Sequence, residues 1–129
     1  MQPGNYLVFV AEDDDDMRAM ITWALRSEGH RVVEARDGTE LLGLLAVAES
    51  PEVRPDVIVT DIFMPGYSGV GVLGALRAAR WEVPVIVITA RHEGTLVEDA
   101  LRLGATAVLR KPLDIFELCA AVTRAASLP

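Results

Sequence analysis

The sequence predicts an α/β fold: a single doubly wound, five-stranded parallel sheet with five helices. Two observations predict it. Short β-branched runs alternate five times with segments of helical periodicity. Several of those runs are apolar nearly throughout, the composition of strands covered on both faces. Consecutive βα units of this kind imply a parallel sheet with right-handed crossovers. For a chain of 129 residues the natural strand order is the flavodoxin-like 2-1-3-4-5.

The elements follow in chain order. The first strand reads over residues 6–10. Its helix shows Met17, Met20, Ile21, Ala24 and Leu25 at i, i+3, i+4, i+7 and i+8, one apolar stripe. Gly29 is a stop signal after it. The second strand reads over 31–35, and its helix carries Leu41, Leu42, Leu45 and Ala48. Residues 49–56, with Pro51 and Pro55, read as a loop. The third strand covers 57–60, followed by a helix with Val72, Leu73, Leu76 and Ala79. The fourth covers 85–89, and a shorter helix with Val97, Ala100 and Leu101 ends at Gly104. The fifth covers 107–109. The last helix places Ile115, Leu118, Cys119, Val122 and Ala126 on one face, with Asp114 as its N-cap.

Bulk properties narrow the function. The length fits one domain over residues 1–129, and 51% of the residues are hydrophobic, enough for a core. No apolar run approaches the roughly 18–20 residues of a membrane span. Met1-Gln2-Pro3-Gly4-Asn5 lacks the basic region and apolar stretch of a secretory signal. The expectation is a cytoplasmic protein that does not engage membranes. A net charge of −7 argues against this domain gripping nucleic acid by itself, since phosphate binding needs a basic patch. Cys119 is the single cysteine, so no internal disulfide forms; its place on an apolar stripe fits a small buried hydrophobe. The chain has eleven arginines and one lysine, Lys111. Lysine offers a compact ammonium that a planar guanidinium does not replace.

In an open parallel sheet, ligands bind outside the carboxyl ends of the strands, at the switch point between strands one and three. There the sequence places Glu12 and Asp13 after strand one, Asp61 after strand three, Thr89 after strand four and Lys111 after strand five. Strand two is an edge strand away from that point. Three converging acids repel one another unless something offsets their charge. Such a set suits Mg2+, a hard cation that keeps waters and binds phosphate oxygens. A metal and an ammonium are what a transferring phosphoryl group needs, and a carboxylate can accept it. Thr89 and Lys111 can each engage a phosphoryl oxygen. Singly, each residue has an ordinary explanation. Asp14, Asp15 and Asp16 cap and favour a helix start. Asp61 could be a turn residue before Met64-Pro65-Gly66, Thr89 a plain strand residue and Lys111 surface charge. Together they land on the one rim that topology picks out.

Glu12-Asp13, Asp61-Ile62-Phe63-Met64-Pro65-Gly66 followed by Gly69, Val87-Ile88-Thr89-Ala90 and Lys111-Pro112 resemble the receiver domain of two-component response regulators. The resemblance spans essentially the whole chain. It implies a phosphoacceptor signalling domain, not a conventional enzyme, with Asp61 as phosphoacceptor. It implies Glu12, Asp13, Asp61 and the backbone carbonyl of Phe63 as Mg2+ ligands, Lys111 as the phosphoryl-binding cation with a cis bond to Pro112, and Thr89 as the relay. The donor would be a sensor histidine kinase or phosphotransfer protein, or acetyl phosphate. Downstream it leaves room for an output domain, a target protein, or a homodimer through helix 4, strand 5 and helix 5. Charge on those helices does not fix such an interface.

One departure stands out. The family places an aromatic three residues before the lysine, and here that residue is Val108. Valine is stiff and has nothing polar to relocate, so displacement of the loop and helix around residues 90–103 is expected to carry the signal. Phe63 and Arg91 flank the pocket where the resemblance implies control of hydrolytic water, which predicts slow dephosphorylation. His92 reads as an exposed loop histidine, and His30 receives no function. Two other readings remain. An aspartyl-phosphate hydrolase needs a second acid two residues after its nucleophile, where Phe63 stands. A pseudo-receiver binding module usually loses an acid, the acceptor or the lysine, and this chain has them all.

Overall fold

The fold comes from a computed structural model that describes residues 5–50, 52–64, 66–90 and 95–127. In chain order the elements are β1 (Leu7–Ala11), α1 (Asp15–Ser27), β2 (Arg31–Ala35), α2 (Gly38–Ala46), β3 (Val57–Asp61), α3 (Gly69–Ala78), β4 (Val85–Thr89), α4 (Thr95–Arg102), β5 (Ala107–Arg110) and α5 (Ile115–Ala126). The strands form one parallel sheet in the order β2-β1-β3-β4-β5. This is the expected flavodoxin-like architecture.

Strand periodicity divides the core in two. Val8, Val10, Val57, Val59, Ile86 and Ile88 face α1 and α5, where Ile21, Leu25, Leu118 and Val122 meet them. Leu7, Phe9, Ile58, Val85 and Val87 face the other way, toward Leu41, Leu45, Val72, Leu73 and Ala100 of α2, α3 and α4. Successive residues thus enter opposite layers, and β1, β3 and β4 are buried at every position.

Helix ends behave as their chemistry dictates. Asp14, Asp37, Ser68 and Asp114 are N-caps whose side chains accept backbone N–H groups of the first turn. Gly29 (φ 93) and Gly104 (φ 87) take the left-handed conformation after α1 and α4, where a side chain would be strained. Cys119 is buried.

Some expected details shift. β1 runs one residue later than expected, and β3 and β5 each extend one residue further. Met20 is 39% exposed and Leu101 53% exposed, so neither belongs to a buried stripe. α1 turns Thr22 inward instead, beside Ile21 and Leu25. Ala48 is buried but lies beyond α2, and Ala79 is the C-cap of α3. His30 is buried, stacked on Tyr6 with ring centroids 5.7 Å apart, and its Nδ1 accepts the Tyr6 N–H.

Candidate functional site

The site grows from the strand ends. The parallel register sets Ala11 beside Thr60, Asp61 beside Ile88, and Thr89 beside Arg110. The residues that follow therefore emerge on one rim. The Glu12 N–H donates to the Ala35 carbonyl (3.1 Å), the Ile62 N–H to that of Ile88 (2.8 Å), and the Lys111 N–H to that of Thr89 (2.8 Å). These bonds carry the sheet ladder one step past its strands and fix where each side chain leaves it. The Lys111–Pro112 peptide bond is cis.

Glu12, Asp13 and Asp61 each contribute a carboxylate oxygen to a group lying within 4.8 Å of one another. Glu12 and Asp61 are buried and Asp13 is exposed. The Lys111 ammonium meets the buried pair. Its Nζ donates to Asp61 Oδ2 at 2.7 Å and lies 3.1 Å from Glu12 Oε1. The other Asp61 oxygen accepts the Phe63 N–H at 2.9 Å. Glu12 Oε2 accepts the Asp14 N–H at 3.1 Å, whereas buried Glu12 Oε1 has no well-directed hydrogen bond. Proximity to the ammonium at poor angle is weaker than a bond, so this oxygen is a carboxylate acceptor with spare capacity.

Electrostatics follow from burial. Desolvation, reinforced by the charge of Asp61, pushes the Glu12 carboxyl up to about 7, against the pull of the Asp14 N–H and of Lys111. Burial by itself lowers the Lys111 ammonium. Its hydrogen bond to Asp61 and the charges of Asp61 and Glu12 outweigh that, and the net shift is upward. The ammonium is thus firmly charged, and it faces two of the three acids, Asp61 and Glu12.

Five of the residues singled out by sequence, Glu12, Asp13, Asp61, Thr89 and Lys111, come together at this rim. Thr89 is fully buried at the end of β4. Phe63 stands at the edge and is 58% exposed. Arg91 and His92 lie outside the described residues. Sequence reading missed one support outright and the packing role of another. One is Arg18, whose side chain holds the backbone of Glu12. The other is a set of glycines under the loop that follows Asp61. A Cβ on Gly38 would collide with the backbone carbonyl of Tyr67, and one on Gly69 would sit 2.6 Å from the Asp61 carbonyl. The Asp15–Arg18 spacing and the glycines were visible as residues, but their partners on other elements were not.

The family model for the response regulator receiver domain matches residues 8–123. The transcriptional regulatory protein PrrA of Mycobacterium leprae is 42% identical over 115 residues, covering 89% of this chain and 47% of that protein. The DNA-binding transcriptional regulator NtrC of Salmonella typhimurium is 35% identical over 127 residues, covering 98% of this chain and 26% of that protein. The chain thus spans half or less of the length of these relatives. Among solved structures, the signal receiver domain of the response regulator NarL from Mycobacterium tuberculosis superposes with a TM-score of 0.85 at 32% identity, covering 97% of this chain and 98% of that one.

Proposed function

This chain belongs to the response-regulator receiver family, and from that premise we propose that it receives a phosphoryl group on Asp61 and thereby switches a protein-binding surface. The donor is a phosphohistidine of a sensor histidine kinase or phosphotransfer protein, with acetyl phosphate as a small-molecule substitute. One observation carries the reading: the only lysine bridges Asp61 and Glu12 inside a cluster of three carboxylates.

The donor set fits Mg2+. All the side-chain ligands are hard oxygens, and buried Glu12 Oε1 is held by the Lys111 ammonium 3.1 Å away without a well-directed hydrogen bond. Glu12, Asp13, Asp61 and the carbonyl of Phe63 would hold the ion. When bound, it supplies positive charge against the phosphoryl oxygens and relieves repulsion among the acids. The rest falls to the protein. An Asp61 oxygen forms the new bond to phosphorus as the phosphorus–nitrogen bond of the donor histidine breaks, leaving a neutral imidazole once a proton is taken up. The Phe63 N–H orients the acceptor carboxylate. Lys111 shifts its ion pair from Asp61 to a phosphoryl oxygen, and the Thr89 hydroxyl engages another. The domain assists its own phosphotransfer and dephosphorylation; it is not an enzyme acting on other substrates.

Several broader readings accompany this one. Residues 1–129 make a single domain in the cytoplasm. The regulators named above are longer and are described as transcriptional, so an output domain or separate target receives the signal. A homodimer through α4, β5 and α5 is one form the switched surface can take, with no direct contact between this domain and nucleic acid. Among the described residues no helix is long and apolar enough to cross a membrane.

Incubation with Mg2+ and acetyl phosphate, followed by mass spectrometry, tests the reading. One added phosphoryl group is expected, dependent on Mg2+ and absent in Asp61→Asn. Failure to label from either acetyl phosphate or the cognate kinase would favour a pseudo-receiver.

A further inference from the structure

Arg18 lies in α1, and its side chain is only 13% exposed, an unusual state for an arginine unless it is paired. Its guanidinium reaches three acceptors on three parts of the fold. One terminal nitrogen donates to the backbone carbonyl of Glu12 at 2.8 Å. The other donates to Asp15 Oδ1 at 2.6 Å. The Nε lies 3.3 Å from Glu34 Oε1 on β2. A planar fork suits such multipoint anchoring, and a lysine could not reproduce it.

The carbonyl it holds is that of the first acidic residue after β1. Beyond that point the loop must set two consecutive carboxylates toward Asp61, one buried and one exposed. Its backbone is tied by the Glu12 N–H to Ala35, by the Asp14 N–H to the Glu12 side chain, and by the Asp14 cap on Met17. Arg18 adds a clamp at the Glu12–Asp13 peptide and braces it against β2. We infer that Arg18 is a positioning residue for the Glu12–Asp13 pair, holding both carboxylates in the geometry that takes a divalent cation. The inference rests on the metal-dependent reading above.

Charge and position predict opposite outcomes. A cation beside an acidic cluster opposes the binding of another cation. If Arg18 acted by charge alone, its removal would tighten Mg2+ binding. If it positions the loop, its removal loosens it. Partners of metal ligands commonly contribute about 10-fold to 100-fold in affinity.

The test is Mg2+ titration by calorimetry on the wild type, Arg18→Ala, Arg18→Met and Arg18→Lys, with hydrogen exchange at the amides of residues 12–16 in metal-free protein. Both Ala and Met variants are expected to bind Mg2+ about 10-fold more weakly and to exchange those amides faster. The Met variant keeps the aliphatic stem and serves if the Ala variant does not fold. Lys retains the charge but not the fork, and is expected to stay weak. Acetyl phosphate labelling at saturating Mg2+ should return close to wild type, because Arg18 lies behind the loop and not at the reacting atoms. Unchanged or tighter Mg2+ binding with unchanged exchange overturns the inference. A wild type that neither binds Mg2+ nor accepts a phosphoryl group overturns the reading of the site, while the exchange data still report whether Arg18 holds the loop.

Discussion

Replacing Glu12 with Gln is expected to stabilise the metal-free protein above neutral pH and to have little effect near pH 5. The Glu12 side chain is 1% exposed, and burial together with Asp61 raises its carboxyl from the ordinary 4.5 to about 7. An acid whose pKa rises on folding holds its proton more tightly in the native chain. Between these two values the native state binds more protons than the unfolded state, so stability falls as pH rises through the window. Below 4.5 the penalty is absent; above 7 it is complete. At 1.36 kcal/mol per pKa unit the full penalty is ~3 kcal/mol, a large share of the roughly 5–15 kcal/mol that holds a domain together.

Gln matches Glu in size and keeps a carbonyl acceptor for the Asp14 N–H, but it has no charge to desolvate. Urea unfolding followed by circular dichroism, with EDTA present, measures the difference. The gap between variant and wild type should widen by ~3 kcal/mol from about pH 5 to about pH 8. With an m-value near 2 kcal/mol/M this is a midpoint shift of roughly 1.5 M urea. Mg2+ should then reverse the order, since a ligand that binds only the native wild type stabilises it by mass action. Parallel stability curves across this range, with no divergence above neutral pH, would refute the claim that a buried ionised Glu12 strains the metal-free site.

Two glycines of α2 should respond with opposite signs. Gly38→Ala forces the new Cβ into the Tyr67 carbonyl and should destabilise by about 1–3 kcal/mol, while slowing Asp61 labelling because the loop beyond Asp61 must move. Gly43→Ala meets nothing within 4 Å and should stabilise by about 0.5–1 kcal/mol; equal effects of the two in urea unfolding would contradict the packing. Burial lowers the His30 pKa, against the weaker opposing charge of Glu28, so stability present above the unfolded value of 6.5 is lost as pH falls toward the depressed folded value. In a Glu12→Gln background, which removes the opposing slope, His30→Gln should abolish that loss. Phe63→Ala should shorten the lifetime of phosphorylated Asp61 severalfold if the ring at the rim keeps water out; an unchanged decay of the labelled species would remove Phe63 from that role.

Fold and rim were legible in the sequence for the same reason. Strands buried on both faces must be apolar throughout, so the residue at which polarity returns marks the carboxyl end. Glu12 is that residue after β1 and Asp61 is the first charged residue of β3, whereas on the only partly buried β5 polarity returns at Arg110, one residue before Lys111. Helical faces were legible in direction but not in width. Met20 fits the period yet lies outside the contact, and Thr22 breaks the pattern yet is buried. Polar contacts between elements away from that rim were not legible. Asp56 reads as a loop residue, but its carboxylate accepts the Leu7 N–H at 2.8 Å and anchors the start of β1. His30 reads as an idle histidine before β2, yet it packs on Tyr6. Arg77 carries no signal in the sequence, yet it donates to the carbonyls of Trp81, Leu103 and Gly104 and ties α3 to the chain after α4. In each case a polar side chain pairs with backbone that only tertiary structure brings near.

The same distinction bears on how an event at Asp61 leaves the site. Val108 pairs with Val87 in the register of β4 and β5. It is half-buried, on the layer that holds Leu96 and Val97 of α4. A valine there has one stiff torsion and no polar atom, so it cannot exchange a buried state for a solvent-bonded one. Close-packed layers transmit displacement rather than absorb it. The Lys111 backbone is bonded to the Thr89 carbonyl, and its ammonium to Asp61. Under the proposed phosphorylation, drawing Lys111 toward a phosphoryl group would pull on the ends of β4 and β5 together. What lies next to those ends on the Val108 side is α4. On the reading proposed above, with no aromatic to turn, the displacement is expected to appear as a shift of α4, through Leu96 and Val97, over Val108; comparing the position of α4 in phosphorylated and unphosphorylated protein checks it, and an unmoved helix would refute it.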